Sequence, residues 1–148
     1  MARASRRIRY RPLRLTDYEA VIGLLAACDM NPHTRGRESP TAFARQRKAH
    51  PTTYLGAFEG DLLVGCVFGT HDARKAFVNR LAVRPGYRRR GIATRLVREC
   101  EKGLRRQGME MFCAMIETEN RASRRLFERL GYEVWTLWYA RRKRHRDV

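Results

Sequence analysis

Hydrophobic residues recur along this chain with two spacings, a period of two and a helical period, and the order of these segments predicts strands that alternate with helices. Strands are expected at residues 8–13, 53–58, 62–70, 76–83, 109–116 and 132–139, and helices near residues 17–28, 39–50, 91–107 and 120–130. No internal repeat or low-complexity linker interrupts the pattern. The chain therefore reads as one α/β domain of the α+β type over residues 1–148, with a basic leader at 1–7 and a basic tail at 141–148.

Residues typical of helix ends support these boundaries. Thr16 and Glu19 have capping-box spacing, and Ser39 with Pro40 after it favours the start of a second helix. Asn120 is a suitable N-cap for the last helix, and Gly131 is a suitable residue just after its end. The third helix has the clearest apolar face, formed by Ile92, Leu96, Val97, Cys100 and Leu104.

Composition adds a large positive charge to this picture. The chain has 148 residues with 32 Lys and Arg against 15 Asp and Glu, a formal net charge of +17. Only four of the basic residues are lysine. With 43% hydrophobic residues the chain has enough apolar surface for a core, so intrinsic disorder is excluded despite the charge.

Other classes of protein are also disfavoured. The longest apolar stretch, Val21 to Cys28, has eight residues, whereas a membrane-spanning helix needs roughly 18. The Arg-rich start could belong to an organelle presequence, but no apolar region or cleavage site follows it, which favours a cytoplasmic location. Four widely spaced cysteines, without a CxxC pair or a His cluster, predict neither a metal site nor disulfides.

The segment from residue 81 to residue 94 carries the clearest chemistry. A strand runs into the turn Arg84-Pro85-Gly86-Tyr87, and three arginines then precede a helix that begins near Gly91. Unpaired backbone N–H groups and the positive end of the helix dipole make such a helix start a binding site for anions. Phosphate binding and an ordinary strand-to-helix turn are both compatible with this pattern.

Two motifs in the chain resemble the signatures of a known family. The run Arg88-x-x-Gly91-x-Ala93, after Leu81-Ala82-Val83, resembles the acetyl-CoA signature R/Q-x-x-G-x-G/A of the GNAT superfamily of N-acetyltransferases. Asn120 and the block from Leu126 to Tyr132 resemble its second signature. The resemblance covers the predicted elements from residue 8 to residue 139, and it implies a mixed, mostly antiparallel central sheet flanked by about four helices.

This resemblance implies acetyl-CoA as the acetyl donor, no metal, and a set of cofactor-binding residues. The backbone of Leu81, Ala82 and Val83 would hold the pantetheine arm and the thioester. Asn120 would contact the cofactor near its sulfur. The pyrophosphate would be held by the turn and the helix start, which comprise Arg88, Arg89, Arg90, Gly91, Ile92, Ala93 and Thr94.

The chain departs from the family pattern at the acid and base positions. Phe127 stands where many members have a tyrosine that protonates the leaving thiolate, and Asn79 and Met115 stand where some members have a glutamate. Glu117 is the remaining candidate for a general base: in a strand it would share a face with Met115, three residues before Asn120. The alternative for Glu117 is a surface charge at a strand end.

Other candidate catalytic or acceptor-binding residues each have two interpretations. Tyr139 would act as a substitute acid or pack in the core or the cleft wall, and His71 with Asp72 would contact the acceptor or simply face solvent. No cysteine has a recognisable nucleophile arrangement, so the resemblance and the residues together favour direct attack of an amine on acetyl-CoA in a ternary complex.

The sequence thus favours an N-acetyltransferase that acts on a primary amine of a protein or small molecule. The alternatives are a basic nucleic-acid or ribosome-associated binding protein and a CoA-binding GNAT module without catalysis. The acceptor is unidentified, a homodimer is one option for assembly, and a weak contact with an anionic or nucleic-acid partner follows from the charge. The terminal basic runs lack interleaved aromatic residues, which argues against a dedicated nucleic-acid site.

Overall fold

The computed structural model describes residues 6–148, so most of the predicted basic leader lies outside the described residues. The strands are β1 (Ile8–Pro12), β2 (Tyr54–Glu59), β3 (Leu62–His71), β4 (Ala76–Val83) and β5 (Phe112–Cys113). The α-helices are α1 (Tyr18–Ala27), α2 (Pro40–Ala49), α3 (Ile92–Arg106) and α4 (Arg121–Arg129). A 3-10 turn at Leu15–Asp17 precedes α1.

The five strands form one sheet in the order β1-β2-β3-β4-β5. Neighbouring strands from β1 to β4 pair antiparallel, and β5 pairs parallel to β4. This confirms the expected mixed, mostly antiparallel sheet with four helices.

A hydrophobic core lies on each face of the sheet. On one face the five apolar residues of α3 named above are all buried against strand residues such as Val64 and Val67, with Phe127 of α4 at the edge. On the other face α1 and α2 cover Leu63 and Phe68, among others. Because side chains of a strand alternate between the two faces, β3 contributes to both cores and is the centre of the fold.

Most helix ends follow the expected residues. The Ser39 side chain accepts a hydrogen bond from the Ala42 N–H at 3.1 Å, and the Asn120 side chain accepts one from the Ser123 N–H at 3.1 Å. Gly131 follows α4 with a φ of +91°. The expected capping box of Thr16 and Glu19 is wrong, because the Asp17 carboxylate takes that role: it accepts from the Arg14 N–H at 2.7 Å and pairs with Arg11.

A bulge in β4 interrupts its register with β3. The register between β3 and β4 shifts between Cys66 and Phe68, and Arg80 has a φ of +50°, which non-glycine residues rarely adopt. The bulge directs the Arg80 side chain to Glu38, in the connection between α1 and α2, at 2.6 Å. The sheet is therefore joined to that connection by a largely buried ion pair.

Two expected strands differ in the structure. Only Phe112–Cys113 of the expected strand 109–116 pairs with β4. Residues 132–139 form no strand, and beyond Tyr132 their large side chains are exposed. A strand needs a neighbour along its length, and a two-residue β5 offers too short an edge for the aromatic segment to pair with.

Candidate active site

A cleft opens where β4 and β5 separate. The two strands pair only at Ala76 and Phe77, so the other end of β4 has no strand on that side among the described residues. The Arg84 N–H donates to Val64 of β3 at 2.8 Å. Backbone groups alternate in direction along a strand, so the N–H and carbonyl of Val83 point away from β3 and into the cleft. The Val83 carbonyl accepts from the Arg88 Nε at 3.2 Å. An extended ligand can pair with the Val83 N–H at this edge as an added strand would.

The turn after β4 forms the second wall of the cleft. The Tyr87 N–H donates to the Arg84 carbonyl at 3.0 Å, which closes the turn, and Gly86 adopts a φ of +90°. Gly91 is the N-cap of α3 with a φ of +76°, and it provides no side chain to cap the helix. The first N–H groups of this 15-residue helix therefore have no intrahelical acceptor and are available to an anion.

The cleft has a volume of about 420 Å³. The structure brings ten of the eleven predicted cofactor-binding residues into its walls: Leu81, Ala82, Val83, Arg88, Arg89, Gly91, Ile92, Ala93, Thr94 and Asn120. The exception is Arg90, whose guanidinium lies 5.0 Å from the centre of the Tyr87 ring and 3.8 Å from Glu59. Residues from β4, the turn and α4 therefore line one cleft, and their role in binding the cofactor stays a prediction.

Seven further residues, which were not predicted to bind the cofactor, also line the cleft: Cys28, Met30, Tyr87, Ala122, Ser123, Leu126 and Arg129. The α4 residues among them fall at helical spacing after Asn120, so that spacing could have identified them. Cys28 and Met30 belong to the irregular connection after α1. Nothing in their own sequence indicates that this connection turns toward β4.

The charge of the cleft is suited to a phosphate ligand. Arg88, Arg89 and Arg129 line it, and no Asp, Glu or His is among the lining residues of the described chain. Guanidinium groups and unpaired N–H groups stabilise phosphates, while the Val83 edge is suited to an amide-containing arm. The residues present thus fit acetyl-CoA.

Glu117, the predicted general base, is not among the residues that line this cleft. It is exposed, and it precedes α4 in a turn in which its carbonyl accepts from the Asn120 N–H at 2.9 Å. Since β5 ends at Cys113, neither Met115 nor Glu117 lies in a strand, and the argument from a strand face shared by the two is wrong. Its role as a base stays a prediction.

Phe127 packs in the core and does not line the cleft. Its side chain is 4% exposed, and its ring meets Tyr132 edge-to-face with the ring centres 4.9 Å apart. The Tyr132 hydroxyl donates to Glu101 at 2.7 Å, which fixes this pair at the base of α4. Burial, with the contact to Glu101, raises the pKa of Tyr132.

The packing of Phe127 makes Phe127→Tyr a direct test of the position. A hydroxyl added to this ring would be buried, and an unpaired buried hydroxyl costs about 1–3 kcal/mol. We expect a lower melting temperature and no gain in acetyl transfer, measured by thermal unfolding and by thiol release from acetyl-CoA. Faster transfer at unchanged stability would show that the side chain reaches the cleft.

Comparison with known proteins identifies acetyltransferases as the relatives of this chain. The model of the GNAT acetyltransferase family matches residues 18–132. An acetyltransferase of Pectobacterium atrosepticum is 33% identical over 125 residues, which cover 84% of this chain and 86% of that protein. An acetyltransferase of Sodalis glossinidius is 32% identical with the same coverage.

Solved structures share the fold. The PaiA N-acetyltransferase of Thermoplasma acidophilum in complex with coenzyme A superposes with a TM-score of 0.78 at 21% identity, over 87% of this chain and 91% of that one. The ribosomal-protein-S18-alanine N-acetyltransferase of Escherichia coli gives a TM-score of 0.73 at 20% identity, over 88% of this chain and 80% of that one.

The family model and these relatives show that the chain is an acetyltransferase that uses acetyl-CoA as its donor. The chain belongs to the GNAT family of acetyltransferases. Within residues 6–148 no helix is long and apolar enough to cross a membrane, and no group of three or more His, Cys, Asp or Glu is placed to bind a metal ion.

Proposed function

We propose that this protein is an N-acetyltransferase that moves the acetyl group of acetyl-CoA directly to a primary amine. The observation that carries the proposal is the cleft itself, in which the open edge at Val83 adjoins the basic turn and the uncapped start of α3. The chemistry needs both features, because one end of the donor is a thioester on an amide-containing arm and the other carries phosphates.

In this proposal the ligand-facing groups have separate tasks. The N–H groups at the start of α3, together with Arg88 and Arg89, bind the pyrophosphate. The Val83 N–H polarises the thioester carbonyl and stabilises the negative charge that develops on its oxygen during attack. Asn120, which caps α4 and lines the cleft, contacts the cofactor near its sulfur in this proposal.

The cysteines support direct transfer. Burial raises the pKa of the Cys66 and Cys100 thiols to about 12, which keeps both protonated and poorly nucleophilic near neutral pH. Cys28 does line the cleft, and its thiol lies 3.4 Å from the Val83 carbonyl, to which it donates. No His, Asp or Glu that could activate it is among the cleft-lining residues of the described chain.

Thiol release from acetyl-CoA, measured with and without a panel of amines, tests the proposal. We expect release that depends on the amine, with the acetyl group on the amine and none on the protein in its mass spectrum. Cys28→Ala should keep this activity. Stoichiometric acetylation of the protein without an amine would contradict direct transfer, and CoA binding without turnover for any amine would identify a module without catalysis.

A further inference from the structure

Two segments that are far apart in the sequence meet beside the cleft. The connection between α1 and α2 supplies Cys28 and Met30 to the cleft wall. The end of the chain packs on the same connection: a Cβ placed on Gly36 would lie 2.5 Å from the Asp147 carbonyl oxygen and 2.7 Å from the Val148 Cα. Residues 29–38 and 134–148 are called the basic rim below.

The exposed charges of the basic rim are mostly positive. Its exposed basic side chains are Arg35, Arg37, Arg141, Arg142, Lys143, Arg144 and Arg146. Glu38 is buried and paired with Arg80, which leaves Asp29 and Asp147 as the exposed carboxylates next to them. Burial, Arg37 and Lys143 lower the pKa of His33, consistent with cations from both segments around it. Such a surface repels polycations and attracts an acidic ligand.

Exposed aromatic residues make the basic rim a surface for a polypeptide. Trp135 is 74% exposed, Tyr139 is 68% exposed, and Trp138 is fully exposed. Trp, Tyr and Arg are the residues that contribute most binding energy in protein interfaces. A second copy of this chain is disfavoured as the partner, because it would bring the same positive charge to the contact.

The cleft favours one kind of amine. Its lining residues include no carboxylate or imidazole within the described chain, the groups that most often act as general bases near pH 7. At pH 7 roughly one in seven α-amino groups is neutral, against roughly one in 2,500 lysine side chains. Arginines around the cleft favour the neutral form of a bound amine further. An α-amino group can therefore attack without a base in the cleft.

We propose that the acceptor is the α-amino group of an acidic polypeptide segment that docks on the basic rim; this inference rests on the acetyl transfer proposed above. The amine nitrogen attacks the carbonyl carbon of acetyl-CoA, a C–N bond forms and the C–S bond breaks. The ammonium proton is lost to water before attack, the second proton leaves as the amide forms, and the thiolate takes up a proton from solvent. The products are an N-acetylated polypeptide and CoA.

A matched peptide panel tests this proposal. It contains a peptide with a free α-amine followed by Asp and Glu, the same peptide with Lys at those positions, an N-terminally blocked acidic peptide with one lysine, and spermidine. We expect the acidic peptide to have a kcat/KM at least tenfold above the others, with the acetyl group located on its α-amine by mass spectrometry. A 20-nucleotide single-stranded DNA, added as a competitor, should leave the KM for acetyl-CoA unchanged.

Removing the charge of the tail separates docking from chemistry. In the variant with Arg141, Arg142, Lys143 and Arg144 all changed to Gln, the KM for the acidic peptide should rise at least tenfold, with kcat within twofold and the KM for acetyl-CoA unchanged. The four side chains are exposed, so the fold should be kept. Gly23→Ala, at an open position on α1, is the control and should change neither constant.

The outcomes distinguish the two proposals. Loss of acetyl-CoA binding or turnover with every amine would overturn the proposed function itself. Turnover that prefers spermidine, the Lys peptide or the blocked peptide would leave that function intact and overturn the acidic α-amine acceptor. Tight, tail-dependent binding of the DNA without peptide acetylation would assign the basic rim to nucleic acid instead.

Discussion

Gly91→Ala is expected to weaken CoA binding at least tenfold while the protein remains folded. Gly91 has a φ of +76° and a Cβ there would meet no protein atom within 4 Å, so the free protein has room for the methyl group. The same open space lies in the cleft at the uncapped start of α3, where the phosphates must come close to the backbone. Isothermal titration with CoA measures the loss directly.

The control for this variant lies at the other end of the same helix. Gly108 follows α3 with a φ of +88°, a Cβ there also meets nothing within 4 Å, and it is outside the cleft. A non-glycine residue at such a φ costs roughly 1–2 kcal/mol, so both variants should lose similar thermal stability. Only Gly91→Ala should lose affinity. Equal affinities for the two variants would contradict a phosphate site at Gly91.

The sequence predicts those parts of the site that depend on residues close together in the chain. The α3 face and the glycine-containing turn are local patterns, so the sequence predicts them, and with them most of the cleft wall. The bulge at Arg80 is different: a positive φ at an arginine has no signal in its neighbours, and the reason for it, Glu38, lies 42 residues away.

Long-range pairing also explains the errors. Residues 132–139 have the composition of a strand, but composition does not reveal that β5 is too short to pair with them. The orientation of the Phe127 side chain was also not predictable from the sequence motif alone. The motif places it at the position of a tyrosine, while its contact with Tyr132 turns the ring into the core.

Glu38→Ala is expected to destabilise the fold by about 3–5 kcal/mol, because it leaves the Arg80 guanidinium buried without its carboxylate. One oxygen of Glu38 accepts from the Arg80 Nε at 2.9 Å and from its Nη2 at 2.6 Å, and the other accepts from the His33 N–H at 2.8 Å. The Glu38 side chain is 8% exposed and that of Arg80 is 18% exposed. Thermal unfolding should show a melting temperature lower by roughly 10 °C.

An exposed ion pair provides the comparison for this variant. Glu128 pairs with Arg124 at 3.0 Å on the surface of α4, and Glu128→Ala should cost no more than about 0.5 kcal/mol. The double variant Glu38→Leu with Arg80→Met removes both buried charges and should recover much of the stability lost in Glu38→Ala.

A loss of stability in Glu38→Ala as small as that in Glu128→Ala would contradict the expectation. It would mean that Arg80 reaches another acceptor and that its 2.8 Å bond to the Met30 carbonyl is sufficient to hold the connection against β4. If the double variant is stable but its KM for the acceptor is raised, the ion pair acts chiefly by positioning the basic rim.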